Sequence, residues 1–486
     1  MRGWPPLLAA FVIPAAFYVA SASPEPGAWD TAELQGVPYI LGIAHPTGFP
    51  LYVLLGYLWS HLVAIGSIAF RMNAFSGIAV AAIVAAGYAV AREFGAARIV
   101  ALAASLWFGF TRNVWSHAAR AEAQDLAIAF AAVSLWCFLR WMHGGRERWF
   151  LAAFACCGLA LAAHPNALWI LPALVIGAVV ARRRPRAVLV CGAIVALMLP
   201  LLLYAYLPLR SAYVVAHGLD PSAGLAGAGG GIFWNYNDPR TMSGFATELS
   251  GSQFQTPKYL WAAFDPANAL AAARALSDAM REQYGIIVAL LAAVGFLAAL
   301  RRDWRTTIVV CIACTAGLFF SVAYPNEGDV GRYRLLASWL AVPVLGALAP
   351  AGVQRDRRLA AALLALALTA GAIVTFVRND VLLHHAPREG GRWVINAVRP
   401  YVAGGDVIVT GWLDATSLAY GAYADGSLPG RVVVSDDRLR IDRYRLWAIN
   451  HRVYVLVNPN NVQHLAGAID DVRLDDYHEL YRVMPP

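Results

Sequence analysis

Repeated apolar segments constrain the fold of this chain more than any other feature of its sequence. A bilayer core is crossed by about 20 consecutive apolar residues, and eleven stretches are predicted to cross it. They lie near residues 5–22, 72–91, 98–112, 125–140, 149–163, 165–181, 187–208, 284–300, 306–323, 333–350 and 358–377. The composition agrees, with 59% hydrophobic residues, 14% charged residues and a mean hydropathy of +0.55. The sequence therefore predicts a mainly α-helical, polytopic membrane protein.

Arginines between these segments predict the orientation of the chain in the membrane. They occupy alternate loops, as basic residues of cytoplasmic loops do. The clusters are Arg92 and Arg98; Arg140, Arg146 and Arg148; Arg182, Arg183, Arg184 and Arg186; Arg301, Arg302 and Arg305; and Arg355, Arg357 and Arg358. The N-terminus is therefore expected in the cytoplasm, and residues 5–22 are interpreted as a signal-anchor span. The net charge of +8 lies mostly in these loops, so we expect no nucleic-acid partner.

Three regions on the outer side hold the unusual residues, and two of them, the loop at 209–283 and the C-terminal tail, are too long to be simple connections. The first loop covers residues 22–71 and the second loop covers residues 209–283 of a membrane domain that is predicted to end at residue 378. An apolar run at 51–65 is interpreted as re-entrant or interfacial, because a span there would invert the alternation of the arginines.

The C-terminal tail, residues 379–486, has a different pattern from the rest of the chain. The runs GDVIVTGW, RVVVSDD and RVYVLVNP are short and β-branched, and helix-compatible stretches such as 412–424 and 460–467 separate them. This alternation predicts a small α/β domain outside the membrane. The glycines at 404 and 405 precede a strand instead of following one, so no nucleotide site is predicted.

The first loop carries the densest group of candidate catalytic residues, in WDTAELQGVPYILGIAHPTGFPLY at residues 29–52. Asp30 and Glu33 are three residues apart, so on a helical turn both carboxylates share one face. In a low-dielectric pocket their pKa values move apart, and one can stay ionised as a base. His45 follows in a stiff turn with Pro46. The competing interpretation is that the acids cap a loop helix and the turn is only structural.

Polar residues in the other outer loops are candidates for substrate binding. The second loop places Arg210, Asn235 and Asp238 among aromatic side chains, a mixture that suits a sugar; an interfacial aromatic belt is the alternative. Smaller loops add Glu122, His164, Arg332 and Arg334. Arginine binds phosphate bidentately, although charges at the ends of spans are often only snorkelling.

These motifs resemble a membrane family known as domain of unknown function 2723, related to vertebrate protein O-mannosyltransferases and built on the GT-C glycosyltransferase fold. DTAEL and GIAHPTGFPLY correspond to the family's first-loop pattern. The spacing of Trp115 and Glu122, and the segments GLALAAHPNAL, YLPLRSA and NYNDPRT, match further blocks in family order. The segment from Asp329 to Tyr333 and the tail are more loosely similar.

The resemblance implies inverting transfer of a sugar, with mannose as the family analogy, from a polyprenyl-phosphate carrier to an acceptor hydroxyl. Asp30 would be the base, Glu33 would orient the acceptor or the sugar, His45 would hold the pocket or the phosphate, and Arg332 or Arg334 would neutralise the leaving group. No cofactor is expected. Some GT-C enzymes use a divalent cation near the first-loop acids, but this DxxE pattern lacks a tight DxD, and we predict metal-independent transfer.

The sequence leaves several acceptors open and gives a general indication of the compartment. A protein Ser or Thr, a glycolipid and a polysaccharide are all compatible acceptors. The preference for arginine over lysine and the compact loops are typical of a bacterial protein, which predicts the bacterial inner membrane with the C-terminal domain in the periplasm or outside the cell. The alternative functions are a transporter or flippase, and a noncatalytic accessory subunit that presents substrates through its tail.

Overall fold

The computed structural model describes residues 4–228, 231–324, 331–352, 355–385, 390–458 and 468–486. Asp329 and the stretch 460–467 of the sequence predictions lie outside the described residues. The helices are α1 (Trp4–Ser21), α2 (Asp30–Ile40), α3 (Pro50–Leu62), α4 (Ile68–Glu93), α5 (Arg98–Phe110), α6 (Arg112–Ala118), α7 (Ala123–Gly144), α8 (Glu147–Ala163), α9 (Leu171–Val180), α10 (Ala187–Leu201), α11 (Tyr206–Ala216), α12 (Met242–Ser250), α13 (Thr256–Ala262), α14 (Asn268–Arg302), α15 (Trp304–Ala323), α16 (Gly331–Trp339), α17 (Ala341–Leu348), α18 (Arg355–His385), α19 (Gly391–Val398), α20 (Trp412–Ala419) and α21 (Ile441–Trp447). The strands are β1 (Val407–Thr410), β2 (Val432–Ser435), β3 (Val453–Val457), β4 (Ala468–Arg473) and β5 (Glu479–Val483).

Six helical segments of the described residues are long and apolar enough to cross a bilayer. They are Ile68–Glu93, Ala123–Gly144, Ala187–Ala216, Asn268–Arg302, Trp304–Ala323 and Arg355–Asp380. Shorter apolar helices run over Pro5–Ser21, Arg98–Phe110 and Pro165–Val180. The chain is thus a multi-pass membrane protein, but the predicted count of eleven spans is not confirmed.

Local breaks explain part of the difference in the span count. The predicted span at 333–350 is divided into α16 and α17, since Pro343 has no N–H to donate to the carbonyl of Trp339 in a continuous helix. The predicted span at 165–181 contains a 3₁₀ segment, Pro165–Ile170, before α9. Hydropathy registers these segments as continuous because it averages over such breaks.

The membrane helices differ in how deeply they are buried. In α4, 78% of the most apolar window is buried, against 11% in the segment Ala187–Ala216. Helix α4 packs against α1, α5 and α7, and small residues on its surface allow close approach; a Cβ added to Gly87 would lie 2.9 Å from the indole nitrogen of Trp339. Helix α4 is therefore central to the bundle, and α10 lies at its periphery.

Loops that carry arginine clusters meet at one end of the bundle, which we call the arginine end. His143 Nδ1 lies 3.2 Å from Glu93 Oε2, and its Nε2 lies 3.5 Å from Asp303 Oδ2. Arg140 Nη1 also contacts Glu93, at 3.3 Å. The loops after α4, α7 and α14 therefore lie together, as the alternation of arginines predicted.

The tail folds into the expected small α/β domain. Its sheet has the strand order β2-β1-β3-β5-β4, with β1 parallel to β2 and β3, and with β5 antiparallel to β3 and β4. Alternate valines such as Val407, Val409 and Val453 are fully buried. Helix α18 continues through residue 378 to His385, and the first element of the tail domain is α19.

The tail domain packs directly on the first loop, at the end of the bundle opposite the arginine end. Arg392 Nε lies 2.8 Å from Glu25 of the first loop and its Nη2 lies 2.7 Å from Asp425. Ser417 Oγ donates to the carbonyl of Gly27 (3.0 Å), and the backbone N–H of Ala69 donates to the Tyr420 hydroxyl (3.0 Å). We call this end, where the first loop and the tail meet, the acid end.

Candidate functional site

Helix α2 of the first loop sets the positions of the two predicted acids. Asp30 is its first residue, where the helix dipole favours a negative charge. Residues 31–38 of this helix are all buried, so α2 is an internal element although it belongs to a loop. Asp30 and Glu33 therefore do share one helix face, but their surroundings differ.

Asp30 is a carboxylate held by two donors from distant parts of the chain. The indole Nε1–H of Trp412 donates to its Oδ1 at 2.9 Å, and Arg332 Nη1 lies 3.7 Å from its Oδ2. Burial raises the pKa of Asp30. The positive charges of His45 and Arg332 and the hydrogen bond from Trp412 outweigh this effect, so the net pKa is below its ordinary value. Asp30 is thus ionised at neutral pH.

Glu33 and His45 form a buried pair next to Asp30. The backbone N–H of His45 donates to Glu33 Oε1 (2.8 Å), and His45 Nδ1 contacts Glu33 Oε2. Glu33 is fully buried, and burial raises its pKa. Burial disfavours the imidazolium of His45, but the carboxylates of Glu33 and Asp30 outweigh this and raise the pKa of His45 to about 9. A cationic His45 therefore lies between two acids.

The turn after His45 positions its ring. The N–H of Gly48 donates to the carbonyl of His45 (2.8 Å), and Gly48 has a φ of 74°, which a residue without Cβ adopts at little cost. Phe49 packs edge-on to the His45 ring, with centroids 5.0 Å apart. The stiff turn expected from the sequence therefore holds His45 against the acids.

Arg332, Glu122 and His164 complete this cluster. Arg332 Nη2 lies 4.0 Å from Glu122 Oε2, so its guanidinium spans Glu122 and Asp30. His164 stacks on Phe49 with centroids 5.1 Å apart. Burial, and then the positive charges of Arg332 and His45, lower the pKa of His164 to about 3, so it is neutral. Six of the ten predicted site residues are brought together: Asp30, Glu33, His45, Glu122, His164 and Arg332.

Three of the other predicted residues have local contacts in or near the second loop. Arg210 Nη2 donates to the carbonyl of Ile40 (3.2 Å), the last residue of α2 and so at its opposite end from Asp30. Ser211 Oγ donates to Asn235 Oδ1 (2.6 Å) and to Asp238 Oδ1 (3.0 Å). The contacts of Asn235 and Asp238 thus join the second loop to α11, and Arg210 joins α11 to α2.

Arg334 lies at a separate place in the acid end. Its Nη1 is 3.6 Å from Glu282 Oε2. Together with Asn113 and Gln283 it lines a cavity of about 150 Å³. Of the two arginines predicted to neutralise the leaving group, Arg332 is the one in contact with Asp30.

Aromatic side chains that the sequence did not indicate as functional surround His45 and Asp30. Trp412 and Phe254 contact the His45 ring at near-perpendicular angles, with centroid distances of 5.8 and 6.3 Å. Tyr236 contacts Trp412 in the same way at 5.8 Å. The motifs containing these residues were noted in the sequence, but only the packing of three distant segments shows that they meet.

The sequence also did not indicate Glu248 as a functional residue. Its Oε2 accepts a hydrogen bond from Asn237 Nδ2 (2.9 Å), while its Oε1 is buried without a hydrogen-bond partner among the described residues. Burial raises the pKa of Glu248 to about 8, in spite of the charge of His45. At neutral pH this site therefore contains a neutral carboxylic acid beside ionised groups.

The acids of the site already have protein partners. Among the residues that the structure describes, no group of three or more His, Cys, Asp or Glu side chains has a metal-binding arrangement. Asp30 and Glu33 already contact Trp412, Arg332 and His45. Metal-independent transfer stays a prediction.

The helix bundle and the small α/β domain together have the GT-C fold. The chain superposes on ArnT from Cupriavidus metallidurans in the apo state with a TM-score of 0.56 and 12% identity, covering 100% of this chain and 99% of that one. The undecaprenyl phosphate-bound form of ArnT gives 0.52 and 13%, covering 99% of each chain. An oligosaccharyltransferase from Archaeoglobus fulgidus gives 0.52 and 12%, covering 92% of this chain and 68% of that one.

Sequence comparison gives a more specific relative for part of the chain. Residues 30–187 match the family described as the protein O-mannosyl-transferase TMEM260 N-terminal domain. The chain is 31% identical over 238 residues to the mouse (Mus musculus) protein O-mannosyl-transferase TMEM260, which is 47% of this chain and 31% of that protein. The matched region thus spans about a third of the length of this curated relative. The resemblance to protein O-mannosyltransferases is confirmed over this part.

Proposed function

We propose that this protein is an inverting membrane glycosyltransferase that moves a sugar from a polyprenyl-phosphate carrier to an acceptor hydroxyl. The GT-C fold and the similarity to an O-mannosyl-transferase support the class of reaction. The observation that carries the proposal is the state of Asp30, an ionised carboxylate that Trp412 and Arg332 fix at the start of α2. A general base needs this combination of charge and fixed position.

Asp30 is the base of the proposed reaction. The acceptor oxygen attacks the anomeric carbon of the sugar, and its proton passes to the Asp30 carboxylate. The bond between the anomeric carbon and the phosphate oxygen breaks with inversion, and the polyprenyl phosphate leaves with the bonding electron pair. Proton transfer of this kind contributes typically about 10²–10⁴-fold to a rate.

Arg332 stabilises the phosphate as it leaves. Its guanidinium contacts Asp30 and Glu122 at 3.7 and 4.0 Å, distances at which it can exchange one partner for a phosphate oxygen. When the phosphate takes the place of Asp30 as a partner, the basicity of Asp30 rises, because a cation beside a carboxylate lowers its pKa. Donor binding therefore activates the base.

Glu33 and His45 maintain the electrostatics around this step. The cationic His45 attracts the donor phosphate and keeps Asp30 ionised. Glu33 compensates the charge of His45 and holds its ring through Nδ1. Neutral His164 is available to hydrogen-bond sugar or phosphate oxygens without adding charge.

Mannose is the first sugar to test, because the matching family is one of O-mannosyl-transferases. A structural neighbour has been solved with undecaprenyl phosphate, and a carrier of this kind needs no nucleotide site in the protein. A protein hydroxyl is the acceptor that the same analogy favours, with glycolipids and polysaccharides as the alternatives.

The decisive experiment compares purified wild-type protein with Asp30→Asn after reconstitution into liposomes. Transfer is measured from a panel of radiolabelled polyprenyl-phosphate monosaccharides to membrane acceptors, with EDTA in parallel samples. Asp278→Asn is the matched control, since Asp278 forms only a surface pair with Arg281 in α14. We expect wild type and Asp278→Asn to transfer one labelled sugar and Asp30→Asn to lose at least 100-fold.

Three results would overturn parts of this proposal. Full activity of Asp30→Asn would exclude Asp30 as the base. If no variant transfers label from any donor while a known transferase does so alongside, the protein is a transporter or an accessory subunit instead. Loss of activity in EDTA, restored by a divalent cation, would contradict metal independence.

We propose the bacterial inner membrane as the location, with the acid end facing outward. The arginines gathered at the opposite end support this orientation. Tyr477 is 67% exposed on the tail domain, so Tyr477→Cys should react with a membrane-impermeant maleimide in intact cells. Arg184→Cys, in the arginine loop between α9 and α10, should react only after permeabilisation. The reverse pattern would invert the topology.

A further inference from the structure

Trp412 is held in place at both its backbone and its side chain. It begins α20, one residue after Gly411 and directly beyond the carboxyl end of β1. Its backbone N–H donates to Asp437 Oδ1 (3.0 Å), in the loop after β2. Its indole donates to Asp30 Oδ1 (2.9 Å). The indole thus connects the carboxyl edge of the tail sheet with the first residue of α2.

The aromatic contacts of Trp412 fix the plane of its ring. Tyr236 from the second loop and His45 from the first loop both meet it edge to face, at 5.8 Å. Such pairs add about 0.5–1.5 kcal/mol beyond area burial. The ring therefore has little freedom to rotate, and the direction of its N–H is set before substrate binds.

Asp30 depends on this N–H for its orientation. A hydrogen bond to a carboxylate is about twice as strong as one between neutral groups. With Oδ1 engaged by the indole, Oδ2 points to Arg332, the side on which we place the phosphate. Trp412 is a neutral donor and so fixes Asp30 without adding a positive charge to those of His45 and Arg332.

The contacts that seat the tail on the first loop are close to this hydrogen bond. The N–H of Trp29 donates to the carbonyl of Leu413 (3.4 Å), and Ser417 Oγ donates to the carbonyl of Gly27 (3.0 Å). These first-loop residues, Trp29 and Gly27, lie one and three positions before Asp30. The contacts that dock the tail on the first loop therefore also orient Asp30.

We infer that Trp412 is a positioning residue for the base Asp30, and that the C-terminal domain is consequently a required part of the catalytic unit. This inference rests on the proposed function, since it needs Asp30 to act as the base. It gives the tail a role different from that of an appended domain that only presents acceptors.

The test is Trp412→Phe, which keeps an aromatic ring and removes the N–H. Trp393→Phe is the matched control, because Trp393 belongs to the tail domain and packs on His478, with ring centroids 5.1 Å apart. We expect Trp412→Phe to lower kcat about 10–100-fold with little change in KM for the donor. We also expect the acid limb of its pH–rate profile to move to higher pH, since loss of the hydrogen bond raises the pKa of Asp30. A purely structural role would not move this limb.

A second measurement does not depend on turnover. Carbodiimides modify protonated carboxyl groups, so the pH dependence of Asp30 modification, followed by mass spectrometry, reports its pKa directly. The midpoint should rise in Trp412→Phe and be unchanged in Trp393→Phe. Asp437→Ala, which loosens the backbone of Trp412 without touching Asp30, should give a smaller rise.

The outcomes separate the two proposals. A wild-type midpoint in Trp412→Phe overturns the positioning role, whatever the transfer assay gives. Wild-type protein that transfers no sugar overturns the proposed function, while the midpoints still decide whether Trp412 controls Asp30. Equal losses of kcat in Trp412→Phe and Trp393→Phe, with an unmoved acid limb, would show that the tail contributes only stability.

Discussion

The two ends of the helix bundle each contain a histidine paired with acids, but in opposite environments. At the arginine end, the side chain of His143 is 33% exposed and pairs with Glu93 and Asp303. At the acid end, the side chain of His45 is 13% exposed and pairs with Glu33, which is fully buried. Exposed ion pairs contribute little because water solvates both partners. The same residue types therefore only join loops at one end, and form a charged, preorganised site at the other.

The largest expected contrast is between the two histidines. His45→Gln leaves Glu33 buried without its cation, and breaking a buried pair costs about 3–5 kcal/mol. His143→Gln removes an exposed pair and should cost less than about 1 kcal/mol. Thermal unfolding of both variants in detergent measures the difference. Equal shifts in Tm would mean that burial does not distinguish the two ends.

The next contrast compares an arginine from each end. Arg332→Lys keeps a positive charge but loses the planar guanidinium that spans Asp30 and Glu122. We expect sugar transfer to fall about 10²–10³-fold, the range seen when one transition-state donor is removed. Arg140→Lys at the arginine end should transfer at the wild-type rate. Full activity of Arg332→Lys would assign the phosphate contact to another residue.

A smaller effect is expected from Glu248, and it depends on pH. Glu248 has an ordinary pKa of 4.5 and a folded pKa of about 8. Between these values it ionises in the unfolded chain but stays neutral in the folded one, so the free energy of unfolding falls as pH rises through this window. Glu248→Gln does not titrate, so it does not lose stability with rising pH in this way. The difference between the Tm of Glu248→Gln and the Tm of wild type should therefore increase from pH 5 to pH 8. A difference in Tm that does not change with pH would show that Glu248 is ionised in the folded protein.

Arg210 should show the smallest effect. Its described contacts are a hydrogen bond to the carbonyl of Ile40 and packing over the Tyr213 ring, 5.0 Å from its centroid. Arg210→Gln should therefore change the stability by about 1 kcal/mol or less and leave sugar transfer at the wild-type rate. A large increase in KM for the donor would show that Arg210 takes part in substrate binding.

The sequence predicted the features of this comparison that depend on neighbouring residues. Asp30 and Glu33 share a helix face because they are three residues apart, and His45 reaches them through a short turn. The gathering of the arginines followed from their alternation along the chain. The same reasoning placed Glu122, His164 and Arg332 at one end, and the structure brings them together there.

Features that depend on distant packing could not be predicted in this way. Trp412 meets Asp30 across 382 positions of sequence, and no local pattern records that contact. The span count suffered from a related limit, since the 3₁₀ segment before α9 and the break between α16 and α17 both lie inside continuous apolar runs. The contacts of Asn235 and Asp238 with Ser211 span 24 and 27 positions, and no local pattern records them either.

The docking of the tail on the first loop also has a consequence for biosynthesis. Asp30 is made early and Trp412 late, and ribosomes add about 5–20 residues per second. Roughly 20–80 s therefore separate the synthesis of the base from that of the residue that orients it. During this interval the nascent chain has its acids in place but no assembled site. If Trp412 positions Asp30 as inferred, the site is assembled only when the tail domain has reached the same side of the membrane as the first loop.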